Sequence, residues 1–167
     1  EGKEELTARP VVCGFGPCGM FASLLLAEQG YRPIVLERGS AVKARAEKVD
    51  AFMKTGILDT NCNIQFGAGG AGTFSDGKLL TRVNDPLCGF ILKKLHEFGA
   101  PKEILHLAKP HIGTDVLRKV VQNAEDAIIR LGGEVHYRTQ MTGICKKDGK
   151  VIAVETNKGQ IPCGALI

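Results

Sequence analysis

"VVCGFGPCGMFASLLLAEQGYRPIVLERG", residues 11–39, carries glycines at 14, 16 and 19 and an acid at 37. Val11 to Cys13 is a short apolar run ending at glycine, the pattern of a buried parallel strand. Pro17 to Gln29 reads as a helix, with proline tolerated in its first turn and Gly30 as its stop. Met20, Phe21, Leu24, Leu25, Leu26 and Ala27 cover most of its circumference, so burial on several sides is expected. Pro33 to Glu37 is a second strand, with proline at its first position. Strand, helix and strand in this order open a βαβ unit with a right-handed crossover, and hence an α/β fold.

The three glycines have separate physical uses. Gly14 permits a sharp turn after the strand, Gly16 lets the backbone approach a pyrophosphate, and Gly19 allows the helix to pack on the strand. A helix starting at Pro17 turns its free N–H groups and positive dipole end toward those phosphates. Glu37 stands at the end of the second strand, 18 residues beyond Gly19, where a carboxylate accepts hydrogen bonds from ribose hydroxyls. A glycine triplet alone is weak evidence; between a strand and a helix, with the acid following, it predicts dinucleotide binding rather than a structural turn. Glu37 repels a 2′-phosphate and disfavours NADP, which leaves NAD and FAD open. Cys18 stands at the helix start, where a thiolate is stabilised, but a small packing residue is the stronger reading.

Beyond this unit, Ala41 to Lys54 has helical composition with Gly56 behind it. "NCNIQFGAGGAGTFSDG", residues 61–77, holds five glycines and little periodicity, and reads as a long ordered loop. Such loops in compact domains are functional or disordered, and Ile64 and Phe66 favour function. Pro86 to Phe98 and Pro101 to Leu107 read as short helices. Thr114 is the expected N-cap of a longer helix whose face is Leu117, Val120, Val121, Ala124, Ile128 and Leu131. Val135 to Arg138, Thr142 to Lys146 and Val151 to Thr156 read as strands with "KDGK" and "NKG" turns, giving an antiparallel ribbon over 134–162. Gly164 to Ile167 is expected to return to the main sheet. The chain begins with Glu and stops in the apolar "CGALI", so a piece of a longer polypeptide is expected.

Composition excludes several classes. The 167 residues suffice for one core, with 44% hydrophobic and 24% charged residues. A net charge of +4, evenly spread, and only seven Phe, two Tyr and no Trp argue against nucleic acid. No run approaches the ~20 apolar residues of a membrane span, and the best one, Phe21–Ala27, follows the glycines rather than a basic N-terminus and does not read as a signal peptide. The six cysteines include no Cys-x-x-Cys pair, so no metal site is expected. They read as buried, reduced thiols of a cytoplasmic protein.

The stretches "PVVCGFGPCGMFASLLLAEQGYRPIVLERG", "NIQFGAGGAGTFSDGKLLTR" and "KPHIGTDVLRKVV" together resemble the uncharacterised FAD-dependent dehydrogenases, a branch of the glutathione-reductase-like flavoproteins. The resemblance covers essentially the whole chain, and "GAGGAGTFSDGKL" is its specific part. Cys18 departs from it slightly, since alanine is common there. It implies a Rossmann-like FAD/NAD(P)-binding domain, of which residues 1–167 are the N-terminal part, and an oxidoreductase that takes FAD. NAD(P)H is the candidate electron donor, and the small-molecule substrate is not specified. The resemblance places Glu37 on the adenosine ribose, Arg38 beside adenine, and Gly70, Gly72, Thr73, Ser75 and Asp76 under the pyrophosphate and ribityl chain, with Met141 touching adenine through its backbone. With Gly14, Gly16, Pro17, Cys18 and Gly19 these form the expected cofactor site. Lys109, His111 and Thr114 lie in a loop before the long helix, in a place to face the flavin or substrate, with a hydrogen-bonded structural role the stronger reading for the histidine. No residue is assigned a catalytic role, because a flavin carries its own hydride chemistry. An NAD-binding dehydrogenase and a non-enzymatic nucleotide-binding scaffold or sensor are the alternatives.

Overall fold

The structure is a computed structural model and describes residues 5–77, 83, 85–107 and 111–167. Its elements are β1 (Val11–Cys13), α1 (Pro17–Glu28), β2 (Ile34–Glu37), α2 (Val42–Thr55), α3 (Leu87–Glu97), α4 (Thr114–Arg130), β3 (Glu134–Tyr137), β4 (Met141–Lys147), β5 (Lys150–Thr156) and β6 (Gly159–Pro162). Short 3-10 turns occupy Ala71–Thr73 and Lys102–Leu105.

β1, β2 and β3 form a parallel sheet in that order. The chain end returns beside β1, where Leu166 bridges Val11 in parallel and Cys13 N donates to Ile167 O at 2.8 Å. The ribbon therefore begins later than the sequence reading placed it. Residues 134–137 pair with β2 in the parallel sheet, and the antiparallel sheet is β4-β5-β6 alone. The turn between β4 and β5 has Asp148 and Gly149 both at positive φ, 49° and 76°, which two-residue hairpins of this kind demand.

The alternation of side chains along a strand divides the core into two faces. Val12 and Val35 point to one face and join Phe15, Leu24, Val121, Ala124 and Ile128 from the β1–α1 turn, α1 and α4. Val11, Ile34 and Leu36 point to the other and meet Val154 and Cys163 at the ribbon. Burying both faces explains why β2 is apolar without a break until Glu37. A smaller cluster of Leu95, Ala100, Ile104, Ile112, Leu117 and Val120 seats α3 against α4.

Several local expectations change in the tertiary setting. Leu25 on α1 and Leu131 after α4 are each 44% exposed, because the sheet and α4 cover only part of α1 and the last turn of α4 overhangs the core. The N-cap of α4 is Gly113, not Thr114. Gly113 sits at φ 84° and packs so closely on Gly77 that a Cβ on Gly77 would lie 2.7 Å from its backbone. Of the six free cysteines only Cys62 and Cys163 are buried; Cys13, the last residue of β1, and Cys18, in the first turn of α1, are exposed. Among the described residues no helix is long and apolar enough to cross a membrane.

Candidate functional site

The C-terminal ends of the parallel strands open onto a cleft of about 600 Å³. It is walled by the β1–α1 turn (Cys13, Gly14, Gly16, Pro17), the end of β2 (Leu36, Glu37, Arg38), the second glycine loop (Gln65, Phe66, Gly67, Gly70, Ala71) and the approach to β4 (Thr139, Gln140, Met141). Ligands of open α/β sheets settle at this end of the strands. Four segments far apart in sequence meet there.

The three glycines of the first motif prove to have three unlike environments. Gly14 sits at φ 98°, a conformation side chains resist. A Cβ on Gly19 would fall 1.9 Å from Gly14 O, so helix and strand touch there. Gly16 is different. Its φ of −75° suits any residue, and a Cβ built on it meets no atom within 4 Å. Neither backbone strain nor packing explains the missing side chain at Gly16, and the glycine lines the cleft.

Glu37 is buried, and both its oxygens are engaged: Oε2 accepts from Phe15 N at 2.9 Å and Oε1 from Gly39 N at 2.6 Å. Each oxygen retains a second acceptor position. The acid thus ties the β1–α1 turn to the end of β2 as well as lining the cleft. Beside it the Cys13 thiol, though the residue is exposed, is pushed up from its ordinary pKa, chiefly by partial desolvation from neighbouring atoms and then by the Glu37 charge. Arg38 stacks on Phe66 with its guanidinium carbon 4.8 Å from the ring centre.

The second glycine loop is organised by a residue the sequence reading passed over. Arg45 on α2 is fully buried. Its Nε donates to Asn63 O at 2.9 Å, Nη1 to Ala68 O at 2.8 Å and Gly70 O at 2.9 Å, and Nη2 to Ile64 O at 3.2 Å. Arg45 and Arg118 both lie 4.5 Å from the centre of the Phe74 ring. Burial draws the Arg45 pKa below its ordinary value, with Cys62 and Glu37 pulling it back up. One signal was present in the sequence: Val42, Arg45 and Val49 are the buried positions of α2, so the arginine occupies a core-facing place between two valines. Gly70 fits as closely, since a Cβ there would lie 2.7 Å from Pro17 Cδ. The two glycine motifs are therefore in contact.

Of the residues singled out in the sequence, Gly14, Gly16, Pro17, Glu37, Arg38, Gly70 and Met141 line the cleft. Cys18, Gly19, Gly72, Thr73, Ser75 and Asp76 are not on its wall. Thr73 is buried with its hydroxyl unpaired among the described residues, Arg118 Nε donating to its carbonyl at 3.3 Å. Ser75 is exposed and its hydroxyl meets Asp76 Oδ1 at 3.4 Å. His111 Nε2 meets Asp76 O at 2.6 Å, and Ile112 N donates to Gly77 O at 3.0 Å, which stitches the end of the glycine loop to the start of α4. Lys109 lies outside the described residues. Gln65, inside the second glycine stretch, was not singled out; Thr139 and Gln140 belong to no motif and are recruited only by the chain's path.

No family model matches the chain. An "Uncharacterized protein" of Clostridium beijerinckii is 52% identical over 166 residues, which is 99% of this chain and 31% of the relative. The chain thus spans about a third of that curated relative's length. Among solved structures, the crystal structure of THI4 from Thermovibrio ammonificans superposes with a TM-score of 0.58 at 16% identity, over 95% of this chain and 54% of that one. Glycine oxidase from Bacillus cereus gives 0.51 at 14% identity, over 96% and 54%. These likenesses show the fold alone: α/β and Rossmann-like, with a parallel sheet and an antiparallel sheet.

Proposed function

We propose that the cleft holds FAD and that this chain is the N-terminal part of the flavin-binding domain of an FAD-dependent dehydrogenase. The observation that carries this reading is the bare backbone at Gly16, which keeps open a space that none of the described residues fills. A diphosphate pressed against the N-terminus of α1 would occupy it, held by main-chain N–H groups and the helix dipole. Gly14 and Pro17 shape that turn, and Gly70 brings the second glycine loop against Pro17 to wall the opposite side.

Glu37 would accept from the adenosine ribose with the acceptor positions that Phe15 N and Gly39 N leave free. Arg38, steadied on Phe66, and the backbone at Met141 would flank the base. The cleft volume falls inside the ~300–1,000 Å³ usual for small-molecule sites. Bound flavin would supply the hydride chemistry, while the protein orients it and excludes water. The chain's acidic ribose contact disfavours NADP in this cleft, so NAD(P)H would enter as an electron donor elsewhere in the protein.

The test is a pair of titrations, FAD and NADH separately, against the wild-type protein and Gly16→Ala. FAD is expected to bind wild type tightly and lose about tenfold or more in affinity against the alanine variant, equivalent to ~1.4 kcal/mol. Tight NADH binding with no FAD binding would overturn the reading. So would a Gly16→Ala protein that binds FAD as wild type does.

A further inference from the structure

A second recess of about 330 Å³ adjoins the cleft and shares Arg38 and Gln140 with it. Its other lining includes Ser40, Lys48, Asp59, Asn61 and Arg138. The single carboxylate among these residues, Asp59, is already engaged: Lys48 pairs with it and Asn61 N donates to it at 2.9 Å. Those contacts hold its pKa below the ordinary carboxylate value. The two arginines form no ion pair among the described residues. The recess therefore presents two arginines without an ion-pair partner among the described residues, with Asn61 and Gln140 also on its lining.

Arg138 stands in an uncommon backbone conformation, φ 53°, which costs a non-glycine residue free energy. The surroundings lock it there. Arg138 N donates to Gly39 O at 2.9 Å and Thr139 N to Glu37 O at 2.9 Å. Asn157 closes the other side, its Nδ2 donating to Arg138 O at 3.3 Å and its Oδ1 accepting from Gln140 N at 2.9 Å. Glycine or asparagine would sit at such a position with less strain. The sequence instead places an arginine there, on the wall of a pocket that already holds Arg38.

We infer that this recess is a second ligand site, which binds a phosphomonoester dianion between Arg38 and Arg138. Two guanidinium forks match a dianion in charge and a tetrahedral phosphate in geometry, each fork reaching two oxygens. The amides of Asn61 and Gln140 supply the neutral donors for the remaining oxygens. A carboxylate ligand would satisfy one fork and leave the other charge unmet. The phosphate has two sources to separate: a free phosphorylated metabolite, which the charge of Glu37 favours, or a phosphate borne on the ribose of a nucleotide in the neighbouring cleft, which would have to lie against Glu37. This inference goes beyond the FAD reading and does not require it.

The experiment titrates inorganic phosphate, at constant ionic strength, into the wild-type protein and Arg138→Asn, with and without FAD. Asparagine tolerates the left-handed backbone, so the variant removes the charge without new strain. A melting curve for the variant coincident with wild type confirms that. Phosphate is expected to bind wild type and to weaken about tenfold or more in Arg138→Asn, while FAD affinity stays unchanged. Adenosine 2′,5′-bisphosphate against AMP separates the sources. A gain for the bisphosphate that vanishes in Arg138→Asn assigns the phosphate to the ribose; phosphate binding that persists with FAD in place assigns it to a separate molecule. If phosphate binds the variant as well as wild type, or if neither phosphate nor the bisphosphate shows any Arg138-dependent affinity, the site does not exist. Failure of FAD to bind would count against the preceding reading alone, since the phosphate titration stands without it.

Discussion

Replacing Arg45 by methionine keeps most of the side chain's length and removes only the fork. In the native protein that fork satisfies four carbonyls, those of Asn63, Ile64, Ala68 and Gly70, from a fully buried position. Each buried carbonyl left without a donor costs about 1–3 kcal/mol. Water entering from the cleft side re-satisfies part of the set, and the methionine stem still packs on Phe74, so the lower end, ~4 kcal/mol for four carbonyls at ~1 each, is the appropriate figure. Relief from burying a cation offsets some of this, but the guanidinium is already solvated by carbonyl dipoles, so the offset is small. For a chain of 167 residues each kcal/mol moves the midpoint by roughly 2–4 °C, so Arg45→Met is expected to melt roughly 8–16 °C below wild type. Arg45→Lys retains the charge but offers a point donor in place of a planar fork, and is expected to lose about half as much. Thermal denaturation followed by far-UV circular dichroism measures both. An Arg45→Met protein that melts within about 3 °C of wild type would show that the loop carbonyls do not depend on the arginine, and the account of the second glycine loop would be wrong.

The remaining expectations use the same reasoning on single atoms. Gly16→Ala should leave stability within ~0.5 kcal/mol of wild type, because its methyl meets no protein atom, whereas Gly19→Ala drives a methyl to 1.9 Å from Gly14 O and should cost ~1–3 kcal/mol or more; urea unfolding of the two variants reads the contrast. Glu125 and Glu134 should give opposite pH dependences. Burial raises the Glu125 pKa above its ordinary value, against the lowering effect of its hydrogen bond from Tyr137. Stability from this site is therefore full below the unfolded carboxyl pKa and falls as pH rises through the higher folded value, so Glu125→Gln should gain on wild type at pH 7 and match it near pH 3. Arg9 and then His136 hold Glu134 below its ordinary pKa, so its contribution is present above the unfolded value and lost as pH falls; Glu134→Gln should lose stability at pH 7 and nothing near pH 3. Melting temperature against pH for the two variants decides both, and curves of the same sign would refute the assignment of causes.

How much of this was legible in the sequence depends on the range of the interaction concerned. The β1–α1–β2 unit, the stops at Gly30 and Gly56, the buried stripe of α4 and the hairpin turns at Asp148–Gly149 and Gly159 are short-range matters, and the residues announce them. So are the uses of Gly14 and Gly19, which follow from a turn and a contact within a few residues. Other features depend on partners that only the folded chain supplies. Strand-like sequence at 134–137 cannot say whether it pairs in parallel with β2 or antiparallel with β4, since both offer the same alternation. Thr114 has good capping chemistry, yet Gly113, packed closely against Gly77 at positive φ, is the cap.

The sequence by itself determined that a backbone-lined turn at the head of α1 faces an acid at the end of β2, because a period of two residues and a glycine spacing are properties of the chain as written. It could not determine that Arg45 would bury its charge among loop carbonyls, or that Arg38 and Arg138, 100 residues apart, would line one recess whose single carboxylate, Asp59, is taken by Lys48. Those are properties of a closed surface. Charges and carbonyls distant along the chain acquire an energy of interaction only when the sheet has fixed the distance between them.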